Sequence, residues 1–216
     1  MKYLIILSIF CLLLQACISK ECRIPNHDFE IPATLSPAKD TFNIGDTITI
    51  ISNFPNQVYD KNTDKYYSLD NFKFYPETGI YKIDTVNSKS NLLDFEIIVD
   101  SIYNYNRLYY SDGTNSIGGQ YNYNNNEYDL LYKIIPIKKG LFYLEFGSSV
   151  YPISPDQEFE GKCRNTYSDV SVKMNEGVDN NIVFLNDSPD PHYNNWILQK
   201  PDDRFHRFGG YCFHVK

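Results

Sequence analysis

The sequence predicts an all-β body built as a sandwich of two packed sheets. Three observations predict it. Short runs of β-branched and aromatic residues recur along the chain, most of them bounded by Gly, Pro, Asn or Asp, the residues that punctuate strands. Helix formers are scarce, and the chain has 19 Tyr against 2 Met; aromatic and β-branched side chains fit a pleated surface. Strand-like and helix-like segments do not alternate, which argues against a doubly wound sheet.

The elements follow in chain order. Residues 18–37 read as a tether and entry strand, because Pro25, Pro32 and Pro37 are each incompatible with a helix interior. A Gly45-Asp46 turn leads into Thr47, Ile48, Thr49, Ile50 and Ile51, whose alternation has the period of a half-buried strand. Further strands are predicted at 71–75, 79–83, 93–99, 128–135, 141–146, 169–174 and 210–215. Residues 104–126, rich in Tyr, Asn, Ser and Gly, read as a strand end followed by a long hairpin or loop. Residues 183–204 carry Pro189, Pro191 and Pro201, and within them 194–200, with Trp196, Ile197 and Leu198, is predicted to form one helical turn on the sandwich. A two-lobed body divided near residues 151–156 is the alternative, although the tail beyond is short for an independent core.

The chain opens with Lys2 and an apolar run from Tyr3 to Leu14. That run is too short for a membrane-spanning helix, which needs about 20 apolar residues, and it reads as a signal peptide. Its end, Leu14-Gln15-Ala16-Cys17, resembles the lipobox of bacterial lipoproteins. The resemblance implies cleavage before Cys17, acylation of its sulfur and a membrane partner reached through that lipid. The predicted organisation is a signal peptide over 1–16, a lipidated tether over 17–37 and a single sandwich domain over 38–216.

Of the five cysteines, Cys11 would leave with the signal peptide and Cys17 would carry lipid. Cys22, Cys163 and Cys212 remain, in an oxidising compartment. A Cys163–Cys212 disulfide is the favoured pairing, since both lie in segments that read as ordered; closing its loop of about 50 residues would stabilise by about 4 kcal/mol. A bond from Cys22 to the body is the alternative.

The formal net charge is −7 and no long basic run occurs, which argues against a nucleic-acid partner. The four histidines, His27, His192, His206 and His214, form no His-x-x-x-His pair, and no Cys-x-x-Cys or EF-hand pattern is present, so no metal and no cofactor is expected. Gly-x-Ser-x-Gly and Ser-x-x-Lys are also absent, and Cys212 lies in an apolar strand that suits a structural thiol. No catalytic residue is assigned, and the chain reads as a non-enzyme.

The best binding candidate is the Tyr/Asn-rich stretch. Tyr103, Tyr105, Tyr109, Tyr110, Tyr121 and Tyr123 lie among turn formers, a composition that suits recognition of a glycan or protein. Exposed aromatics on a loop usually mark a contact surface. The opposing reading is a solvated insertion, its tyrosines partly covering the sheet.

The lipobox, the Pro-bearing tether and the β-rich body together resemble the small surface lipoproteins of Bacteroidetes. Ser19-Lys20-Glu21 is similar to the export signal that carries such proteins to the outer leaflet. Residues 43–51 and the Gly140-Leu141-Phe142-Tyr143-Leu144 run are similar to strands of bacterial immunoglobulin-like domains, whose Cys…Trp…Cys order is present as Cys163, Trp196 and Cys212, with Trp196 far later than in an antibody core. Asp46-Thr47-Ile48, Asp84-Thr85-Val86 and Asp100-Ser101-Ile102 resemble the O-glycan acceptor of that phylum. The implied fold is an immunoglobulin-like β-sandwich with a long Tyr/Asn-rich loop and at most one short helix. The implied setting is the bacterial outer membrane, on its periplasmic or cell-surface face. The implied role is binding of an unspecified ligand or, alternatively, that of a structural or accessory subunit of an envelope complex.

Overall fold

The computed structural model describes residues 25–150, 157–163 and 166–216. In chain order the strands are β1 (His27–Ser36), β2 (Thr41–Phe42), β3 (Ile48–Pro55), β4 (Gln57–Asp60), β5 (Lys65–Ser68), β6 (Tyr75–Lys82) and β7 (Phe95–Val99), then β8 (Tyr105–Tyr109), β9 (Asn115–Gly119), β10 (Asn122–Asn124), β11 (Glu127–Pro136), β12 (Gly140–Ser149), β13 (Ser168–Met174) and β14 (Tyr211–Val215). They form two sheets. One has the order β10-β11-β3-β1-β4-β5, with β13 joined to β1 and β7 to β11; the other has the order β2-β14-β12-β6-β9-β8. The protein is a nearly all-β sandwich.

The first strand is the entry strand expected within residues 18–37, and it pairs inside the eight-stranded sheet. In β1, Phe29, Ile31, Ala33 and Leu35 are buried while Pro32, Thr34 and Ser36 are exposed, the alternation of a strand with one face on the core. Pro32 is tolerated because it falls between the β4 pairing at Phe29 and Glu30 and the β3 pairing that starts at Thr34. Its missing N–H interrupts no ladder there, and its carbonyl accepts a hydrogen bond from Ser52 Oγ at 2.6 Å. On its other side β1 runs parallel to β13, His27 opposite Ser168.

The apolar inner faces of the two sheets form the main core. One polar bridge crosses it: Tyr132 and Tyr105 place their hydroxyls 2.5 and 2.7 Å from Thr78 Oγ1. All three residues are buried, so each would be costly without that partner. A second, smaller core lies on the outer face of the six-stranded sheet. There Ile83, Leu141, Tyr143 and Cys212 pack against Leu185, Tyr193, Ile197 and Phe205. These last four come from the short helical turns Ile182–Asp187, His192–Ile197 and Asp202–His206. Burial of that sheet on both faces explains why Leu141 to Leu144 read as a continuous apolar run. Two more 3-10 turns, Leu92–Asp94 and Asn175–Gly177, make the helical turns more numerous than the single one expected.

The Cys163–Cys212 bridge is not formed. Cys212 is a free thiol, 0% exposed on β14, and burial pushes its pKa well up. Cys163 is disulfide-bonded, and its partner lies outside the described residues, as do Cys17 and Cys22.

Candidate functional site

The six candidate tyrosines do not form one surface. Tyr105 and Tyr121 are 2% and 8% exposed and belong to the main core. Tyr121 meets Ser52 Oγ at 3.0 Å and packs edge-on to Phe54. Tyr103 and Tyr123 are partly buried against the same core. Tyr103 donates to Asp129 at 2.6 Å, and burial followed by that carboxylate pushes its pKa up to about 12. Tyr109 and Tyr110 alone are exposed.

The stretch is therefore not a solvated loop. Residues 105–109 and 115–119 pair as a hairpin, closed by Tyr110 N–H to the Thr114 carbonyl at 3.0 Å. A second hairpin follows, in which Asn125 and Asn126 take φ of +50° and +64° between β10 and β11. Two central residues with positive φ match the twist of paired strands, and Asn is among the residues that accept it. This pairing sets Tyr123 opposite Tyr128.

The strongest concave site lies on the outer face of the six-stranded sheet, beside the second core. It is built from two Glu-x-Gly triplets, Glu77-Thr78-Gly79 on β6 and Glu145-Phe146-Gly147 on β12. In the antiparallel register Glu145 stands opposite Gly79 and Glu77 opposite Gly147. Side chains two apart on a strand share a face, so both carboxylates rise beside bare glycine. The result is a groove of about 350 Å³, flanked by Tyr75, Tyr81, Tyr110 and Phe208. A neighbouring hollow of about 250 Å³ shares Tyr81, Glu145 and Phe208 and extends to Trp196, His192 and Arg204. A Cβ on Gly147 would meet only Phe208, at 3.8 Å, whereas one on Gly79 would press the Tyr81 ring at 3.0 Å.

The two carboxylates have different surroundings. Glu77 Oε1 accepts from Tyr110 Oη at 2.7 Å and Ser116 Oγ at 2.6 Å. Glu145 is raised from the usual carboxylate range to about 7, first by burial and then by the charge of Glu77. Tyr143 beside it lowers it slightly, yet its hydroxyl makes no hydrogen bond of acceptable geometry although the residue is only 2% exposed. Neither glutamate has an ion-pair partner among the described residues. Arg204 is engaged elsewhere: its guanidinium sits 4.0 Å from the Trp196 ring centroid and donates to the Trp196 carbonyl. Trp196 is 46% exposed and stacks on His192 with centroids 4.9 Å apart, so it is a wall of the hollow and not a core residue. Among the described residues no three His, Cys, Asp or Glu converge as metal ligands.

No protein-family model matches the sequence, and no curated protein matches it. Among solved structures, a type II cohesin domain from the cellulosome of Acetivibrio cellulolyticus superposes with TM-score 0.29 at 12% identity, covering 68% of this chain and 92% of that one. The type II cohesin dyad from the ScaA scaffoldin of the same organism gives 0.30 at 14%, covering 66% of this chain, which spans only 46% of the dyad's length. A non-cellulosomal cohesin from the archaeon Archaeoglobus fulgidus gives 0.27 at 12%, covering 69% and 91%. Likeness at this level carries no argument about ligand or role, and those rest on the chain's own residues.

Sequence reasoning found one wall of this groove, Tyr110, and missed its centre. The repeated Glu-x-Gly was visible, but 68 positions separate the glutamates (145 minus 77), and only strand pairing joins them.

Proposed function

We propose that this protein is a non-enzymatic binding module, held at the bacterial outer membrane by lipid on Cys17, whose ligand occupies the Glu77–Glu145 groove. The observation that carries the binding assignment is the groove itself. A sheet face that is otherwise covered by helical turns is left open where each glycine stands opposite a glutamate, and the half-buried Glu145, the exposed Glu77 and aromatic rings converge there. Concave sites with few polar groups set among aromatic walls are the usual places for ligands. The lipid anchor is supported by Leu14-Gln15-Ala16-Cys17.

Both halves can be tested in the full chain. Labelled palmitate should enter the protein and be lost in Cys17→Ala; unchanged labelling removes the anchor. Glycan-array and envelope-extract binding should be lost in Gly147→Leu, which fills the groove at a position with no nearby backbone to displace. Binding that survives in Gly147→Leu would place the ligand elsewhere.

One observation favours a second reading. A carboxyl raised to about 7 beside another that accepts two hydroxyl hydrogen bonds resembles a general acid/base pair. Cleavage of a glycoside, abolished by Glu145→Gln while binding persists, would establish that reading over simple binding.

A further inference from the structure

Resting on the groove as the binding site, we infer that its ligand presents a cationic group, an ammonium or guanidinium, to the space between Glu77 and Glu145. Two carboxylates face one groove, and the groove of about 350 Å³ is lined by no Lys, Arg or His. Glu145 is partly withdrawn from water beside the exposed Glu77, a carboxylate in that position is costly without a counter-charge, and nearby positive charge relieves the cost. The groups facing Glu145 from each packed element supply none. They are Glu77 and Tyr81 on β6, Tyr143 on its own strand, and Tyr193, His192 and Arg204 from the helical turns. Arg204 is committed to Trp196, and His192 stacks on the same ring.

A second observation points the same way. The Tyr143 hydroxyl is buried beside Glu145 and makes no hydrogen bond of good geometry, and Ser148 Oγ at the groove's edge lacks a partner. An ammonium has three donors that can be shared among such acceptors. The Tyr81 and Tyr110 rings offer the aromatic faces on which a desolvated cation is favoured. A Lys or Arg side chain of a protein and an amino sugar both carry this chemistry.

Isothermal titration of the full chain in detergent separates the sources and tests the class. The probes are N-α-acetyl-lysine methylamide and glucosamine, with their N-acetylated neutral counterparts as controls. At least one amine should bind while its acetylated form does not, and which amine binds identifies the source. Affinity for the lysine amide, which stays cationic, should rise about tenfold from pH 6 to pH 8, as Glu145 loses its proton with a pKa of about 7, and binding of either amine should fall with added salt. Glu145→Gln should flatten that pH profile, and Gly147→Leu should abolish binding. Equal, Gly147→Leu-sensitive binding of the acetylated forms would overturn the cationic class and leave the groove standing. Amine binding that Gly147→Leu does not change would overturn the groove itself. Failure of both amines to bind at millimolar concentration would overturn the inference.

Discussion

Asp60, buried on β4, and Glu145, half-buried on β12 in the other sheet, are acidic side chains whose chemistry runs in opposite directions. Asp60 is 0% exposed and accepts hydrogen bonds from His27 Nδ1 at 2.8 Å, Asp28 N–H at 2.8 Å, Thr63 Oγ1 at 2.7 Å and Asn62 N–H at 3.1 Å. Burial pushes its pKa up, but these donors outweigh that and hold it below the ordinary value. Glu145 is given no comparable set of donors, and burial beside Glu77 raises it to about 7. The comparison separates a carboxylate held by four donors that ties β1 to β4 from one whose burial beside another carboxylate is not offset by donors of the fold.

The largest way to test the structural end is covalent. Cys163 is disulfide-bonded and Cys212 is free. Cys11 is expected to leave with the signal peptide and Cys17 to carry lipid, so Cys22 remains as the candidate partner. Non-reducing peptide mapping should therefore link Cys22 to Cys163, and a Cys163–Cys212 peptide would refute the pairing. In the chain-entropy account, closing a loop of about 140 residues stabilises by about 5 kcal/mol, so reduction should lower the urea midpoint sharply.

Next in size is Asp60→Ala. It strands two backbone N–H groups, a hydroxyl and the His27 ring in a buried corner, and stability should fall by about 3 kcal/mol or more in urea titration. A loss below about 1 kcal/mol would mean that water reaches the corner and that Asp60 is not a tie.

Smallest, and opposite in sign, is Glu145→Gln. The folded pKa of about 7 lies above the ordinary glutamate value of 4.5, so between those values the folded state keeps a proton that the unfolded chain has released. Glu145's contribution to stability is thus full below about pH 4.5, falls as pH rises to about 7 and is flat beyond. Gln mimics the protonated acid. The variant should match the parent near pH 4 and exceed it at pH 8 by about 2–3 kcal/mol. Asp60, with its lowered pKa, contributes the reverse dependence, lost as the solution becomes acidic. A Glu145→Gln variant less stable than the parent at pH 8 would mean that the carboxylate has partners in the fold and would erase the contrast with Asp60.

The sequence by itself determined the sandwich, because alternation is a local property: Ile48 and Ile50 turn inward whatever they pack against, and Gly and Asn mark where the chain can reverse. It also marked the Trp196 segment as a helical turn and an entry strand within residues 18–37, but only the gap between two partner strands shows why Pro32 is tolerated there. It misjudged Tyr105 and Tyr121 because aromatic residues among turn formers look exposed until hairpin pairing rotates them onto Phe54 and Tyr132. Tertiary structure alone decided the cysteine pairing and the groove. Both depend on packing between segments distant in sequence, which brings Glu145 beside Glu77 and leaves Cys212 a free thiol among Ile83, Tyr143 and Phe205. Register is set by the summed packing of both sheets and not by any single segment, so no local pattern could have announced it.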